Sequence, residues 1–134
     1  MRFAPRTIPT RLAAGAFVLH SGIEKWHGSE AQAAGVHGMA SGAFPFLKGM
    51  SDATFLKALA AAELGLGAAL LTPLVPSRLA GTALTAFAGG LIAMYLRTPA
   101  LHKPGSVWPT PQGIAVSKDI WLLGIGIGLV AETT

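Results

Sequence analysis

The chain has 134 residues, enough for one domain, with 51% apolar residues, only 12% charged residues and a net charge of +4. That charged share is about half the usual one for soluble proteins, which tilts the chain towards a membrane, and no run of clustered Lys or Arg supports nucleic-acid binding. It contains no cysteine, which excludes disulfides, thiol catalysis and thiolate-bound metal clusters.

Residues 1–9 form a basic, proline-broken lead with Arg2 and Arg6. An apolar run follows, and Ala31-Gln32-Ala33 resembles a signal-peptide cleavage site. Glu24, Lys25, His27 and Glu30 intervene, so the run reads instead as a first membrane helix over residues 10–26. Thr10 is the expected N-cap, and Arg11 is expected to snorkel to the interface. Residues 28–52 are glycine-punctuated and too polar to span, with a short helix over 30–36 and Phe44-Pro45-Phe46-Leu47 as an interfacial wedge.

The second predicted helix, 53–73, is capped by Ser51 or Asp52 and ended by Pro73 and Pro76. Its centre is apolar at every position from Ala58 to Leu71 except Glu63. A run of about 20 such residues spans a bilayer core, and Glu63 then lies about 15 Å from the helix start. A lone carboxyl at that depth must face protein and find a partner, or be protonated. A tight turn leads to the third predicted helix, 78–97, which must be an antiparallel neighbour. A proline-rich loop (Pro99, Pro104, Pro109, Pro111) precedes the fourth, 113–131, with Lys118 and Asp119 in its second turn. The expected fold is therefore an all-α transmembrane four-helix bundle over residues 1–134. Gly89 and Gly90 in the third helix, and the GxxxG pair Gly124 and Gly128 in the fourth, are expected to be helix-packing positions, within the chain or against another protein's helix.

Four spans put Lys25, Glu63, Lys118 and Asp119 on one side of the bundle, where they are expected to lock the first, second and fourth helices as a buried ionic network. A proton relay or ligand-binding role is the alternative. Trp26, Tyr95 and Trp108 form an aromatic belt at that interface. His20, Glu24 and His27 are spaced i, i+4, i+7 and share a helix face. With Glu63 they are candidate contacts for a quinone or other lipophile, or simply an interfacial polar cluster. No metal site is expected, because no fourth ligand is suitably spaced. Arg97 and Arg78 read as snorkelling helix ends. The short-turn side carries Arg2, Arg6, Arg11 and Arg78, and the loop side carries Lys25, Lys48, Lys57, Arg97, Lys103 and Lys118. Dropping the partly embedded Lys25, Lys57 and Lys118 reverses that comparison, so charge counting does not fix the orientation.

The sequence resembles the DoxX family of small four-helix membrane proteins. The matching residues are Arg11-Leu12, Ser21-Gly22-Ile23-Glu24-Lys25-Trp26, Ala62-Glu63-Leu64-Gly65, Gly89-Gly90 and Lys118-Asp119, spread over residues 10–131. The resemblance implies a multi-pass protein of the plasma (inner) membrane, with both termini cytoplasmic and both long loops outward. The family's recurrent polar positions fall on Lys25, Glu63 and Asp119. Some relatives are subunits of quinone-linked oxidoreductases or of thiol-stress complexes. The expected role is thus a non-catalytic accessory subunit of a larger membrane redox complex, without a cofactor of its own. The alternative is a quinone- or lipophile-binding subunit. Expected partners are the lipid bilayer, other integral membrane subunits such as an oxidoreductase, and further copies of the chain. A small transporter is disfavoured, since no inverted repeat is visible.

Overall fold

The computed structural model describes residues 5–132. The regular structure of those residues is all helical, with no strand beyond one isolated bridge between His102 and Pro109. After a 3₁₀ turn, Pro5–Thr7, the helices are α1 (Ile8–Trp26), α2 (Glu30–Ala43), α3 (Asp52–Leu71), α4 (Ser77–Arg97), the single turn α5 (Ile114–Ser117) and α6 (Asp119–Val130). Further 3₁₀ turns cover Pro45–Gly49 and Pro99–Leu101.

Three features depart from expectation. First, residues 28–52 hold a 14-residue helix rather than a loop with a short helical piece. Ser29 caps α2 by accepting from the Gln32 N–H at 3.1 Å. Five alanines sustain it, and Gly35, Gly38 and Gly42 fall on its open outer face. Ala33, His37, Ala40 and Ser41 make the buried stripe. Second, α1 begins at Ile8, with Pro9 in its first turn. Thr10 is therefore inside the helix, where its hydroxyl donates to the Thr7 carbonyl at 3.0 Å rather than capping an end. Third, the expected fourth helix is broken at Lys118, leaving α6 with 12 residues. Among the described residues only α3 and α4 are long and apolar enough to cross a membrane by length and composition. The polar last turns of α1 and the break before α6 weaken the signal in the other two.

The helices pack as two antiparallel pairs. In the first, α1 lies on α3. A Cβ on Gly22 would meet the Leu64 backbone nitrogen at 2.8 Å, and one on Gly67 would meet that of Leu19 at 2.7 Å, so the backbones touch. In the second, α4 lies on α6, and the same closeness is built from Gly81 and Gly126. One core joins the pairs, with Val18, Leu70, Leu84 and Leu122 among its members.

Arg11 opens the inner stripe of α1 and is buried, 2% exposed, rather than snorkelling. Its guanidinium donates to the carbonyls of Ala69 (2.7 Å), Leu70 (2.9 Å), Thr72 (2.8 Å) and Val75 (2.8 Å) and to the Ser77 hydroxyl (3.1 Å). A helix leaves its last four carbonyls unpaired, and five donors in a rigid fork satisfy the end of α3 and the turn into α4 together. At the opposite end both long connections meet. Arg97, closing α4, donates to the Ala43 carbonyl at 3.2 Å and lies over Phe44, so it caps α2. Of the expected wedge, Phe44 and Leu47 pack on Ala40, Ala43 and Met94, while Phe46 is exposed.

Candidate functional site

Antiparallel pairing brings the last turns of α1, the first half of α3 and the start of α6 to the same end of the bundle. Along α1 the buried positions run Ala14, Val18 and Gly22, and continuing that stripe reaches Ser21 and Lys25. Along α6 it runs Leu122, Gly126 and Leu129, which projects back to Asp119. Along α3, Ala60, Glu63 and Gly67 are buried. These stripes converge on a cavity of about 240 Å³ whose polar lining includes Ser21, Lys25, Glu63 and Asp119, against an apolar wall including Phe17, Phe87 and Leu91.

Glu63 is 4% exposed and pairs with the Lys25 ammonium at 3.2 Å. Lys25 also donates to the Ser21 hydroxyl at 2.6 Å. The expected pairing of the embedded acid with a neighbouring helix is met. The Asp119 carboxyl lines the same cavity but makes no hydrogen bond or ion pair to another described residue. One ammonium therefore faces two carboxyl groups. With both ionised the cavity is one positive charge short; a proton at Asp119 would balance the charge, and a ligand's hydrogen-bond donor would fill its bonding capacity.

Lys118 does not join this network. It is one residue from Asp119, hence about 100° round the helix, and it lies exposed with its ammonium 6.0 Å above the Trp121 ring. His20, Glu24 and His27 do share one face, but it is the exposed face of α1, where His20 and Glu24 stand 3.5 Å apart, away from Glu63. Among the described residues no group of three or more His, Asp or Glu is arranged to hold a metal ion.

The glycine expectation is also corrected within the chain. Gly89, Gly90, Gly124 and Gly128 face open space, while Gly15, Gly22, Gly67, Gly81 and Gly126 make the close contacts. Gly126 is two residues from both Gly124 and Gly128, so it points to the opposite side of α6 from them.

Sequence reasoning also missed His37. Its Nδ1 lies 2.6 Å from Asp52 and its Nε2 2.7 Å from the Leu47 carbonyl, and its ring stacks on Phe55 at 4.9 Å. A carboxyl group and a carbonyl face the two ring nitrogens, an arrangement that imidazolium, with two N–H donors, satisfies in full. The Asp52 hydrogen bond, then the Leu47 carbonyl, raise the pKa of His37 above its ordinary value. The available signal was the spacing of His37 between Ala33 and Ala40/Ser41 on one helical stripe.

A scan against family models and searches of curated proteins and solved structures return no match for this chain.

Proposed function

We propose that the chain is a multi-pass membrane protein, with α1, α3, α4 and the α5–α6 segment across the bilayer, and that it serves as a non-catalytic accessory subunit of a larger membrane redox complex. Its outer surface supports the first part. Two-thirds of the apolar windows of α3 and α4 are unburied, and Phe17, Leu79, Leu96, Ile120 and Ile127 project outward from α1, α4 and α6. In water such surfaces are a liability, whereas in lipid they are the solvent-facing side.

The observation that carries the subunit role is the double set of glycines. One set closes the chain's own helix pairs. The other, Gly89 and Gly90 on α4 and Gly124 and Gly128 on α6, presents bare backbone outward. Without a hydrophobic drive between helices in lipid, such backbone exposure is how membrane helices dock. The redox character of the partner follows from the resemblance to the DoxX family, as do the inner-membrane location and cytoplasmic termini. In a mild detergent extract an oxidoreductase should co-purify with the chain. Gly124→Leu with Gly128→Leu should strip it away while the chain itself stays folded. A lone monomer from the parent chain overturns the proposal.

A second reading, a lipophile- or quinone-binding subunit, is favoured by the cavity, which sets Lys25, Glu63 and Asp119 against an apolar wall. His20, Glu24 and His27 take no part in it. Asp119→Asn should then weaken ligand-dependent turnover of the complex at least tenfold with assembly intact. Unchanged turnover removes this reading.

A further inference from the structure

Lys118, excluded from the cavity, lies in a second place with its own chemistry. A groove of about 490 Å³ runs along the outside of α4 and α6, with Tyr95, Leu96, Trp108, Ile120 and Trp121 among its walls. It is almost wholly apolar, and Trp108 and Trp121 are 72% and 66% exposed. One wall is the loop after α4, held in place by the Tyr95 hydroxyl donating to the Val107 carbonyl at 2.7 Å. The loop turns back at Gly105, whose φ of 69° is the left-handed region that favours glycine. Lys118 stands at this groove with its ammonium over the Trp121 ring, and that ammonium makes no hydrogen bond or ion pair to a described residue. The neighbouring carboxyl, Asp119, faces the other cavity, beside Lys25 and Glu63.

We propose that this groove holds one anionic phospholipid, its phosphate on Lys118 and an acyl chain along Leu96 and Ile120. Charge complementarity selects the occupant. A partner helix of ordinary apolar composition would leave the ammonium desolvated without a counter-charge, which is expensive in lipid. A phosphate supplies that charge, and tryptophans at the headgroup level flank it as interfacial anchors. The inference rests on the membrane reading above, though not on the accessory role.

The test uses the full chain with Trp121 as its sole tryptophan (Trp26→Phe, Trp108→Phe), in vesicles of phosphatidylcholine and phosphatidylglycerol. Only one lipid type at a time carries brominated acyl chains. Brominated phosphatidylglycerol should quench Trp121 as though enriched about fivefold over its bulk share. Lys118→Gln should abolish that preference and Lys118→Arg should keep it, with quenching by brominated phosphatidylcholine surviving in both. The chain with Trp108 as sole tryptophan reports on the same groove and should behave alike. Equal quenching by both lipids, or a preference that survives Lys118→Gln, overturns the proposal. So does weak quenching by either lipid, which would mean a protein helix fills the groove. Release of the chain from membranes by alkaline carbonate would overturn the membrane reading with it, whereas retention without headgroup preference overturns the lipid site alone.

Discussion

The two ends of the bundle bury charge in opposite ways. At the short-turn end, Arg11 is enclosed, and its guanidinium donates five hydrogen bonds to neutral oxygens of the chain. At the loop end, Lys25 and Glu63 neutralise each other, and the Asp119 carboxyl stands beside them with no bond to another described residue. A buried charge whose bonding capacity is filled is a clamp. One left with spare capacity beside a cavity is available to a proton or a ligand. Burial alone does not separate structural from functional charge, while completeness of bonding does.

The largest effect should come from breaking the clamp. Arg11→Met leaves the carbonyls at the end of α3 without donors in a dry site, and should cost about 3–5 kcal/mol of stability or prevent folding. Arg11→Lys should recover little, since an ammonium offers three donors in place of a five-donor fork. Unfolding by graded SDS in mixed micelles would measure both. Full recovery with lysine would mean that charge rather than bonding completeness matters here, and the contrast between the two ends would fail.

A smaller loss is expected at the other end. Lys25→Met strands the Glu63 carboxylate and should cost about 2–4 kcal/mol, measured in the same way. Lys25→Met combined with Glu63→Met removes both charges and should regain most of the loss. Asp119→Asn should leave stability nearly unchanged, because its carboxyl makes no bond to another described residue. If the double variant is no better than the single one, Glu63 makes essential contacts beyond its ion pair.

Much of this was legible in the sequence, and the failures share a cause. The all-helical class, the ends of α3 and α4 and the link from Lys25 to Glu63 follow from apolar periodicity and from the need to pair an embedded acid. Which neighbour of a pair faces inward was lost when Lys118 and Asp119 were treated as one unit. A helix turns about 100° per residue, so adjacent charges rarely share a fate. The GxxxG rule erred in the same way on α6, choosing the repeated glycines over Gly126 between them. Arg11 reads as a headgroup ligand, and capping by Arg97 goes unseen, because a sequence does not display the orphan carbonyls at the ends of α3 and α2. Those carbonyls belong to residues 58 or more positions from Arg11 and 54 from Arg97.

The smallest predicted effect concerns a third kind of charge, neither filled nor spare but conditional. His37 joins α2 to the start of α3 through Asp52, in the connection outside the spanning segments. Its pKa is raised in the folded chain, first by the Asp52 hydrogen bond and then by the Leu47 carbonyl. A raised pKa stabilises the fold fully below the ordinary histidine value of 6.5, and that contribution fades as pH rises through the folded value. Docking of α2 should therefore be tightest in mild acid and loosen in alkali, the reverse of what a paired carboxylate alone would give. Since the Asp52 side chain is 53% exposed, solvent screens the pair and the change should be modest. Hydrogen exchange of the α2 amides, corrected for intrinsic rates, should show protection falling as pH rises above about 6.5. Asp52→Asn should move that fall to lower pH, and His37→Gln should flatten it. Because Val36, the neighbour of His37, lines the cavity, the same series reports whether the outer connection and the spare carboxyl respond together. If Asp119→Asn leaves the α2 profile unshifted, the two ionisable sites titrate independently.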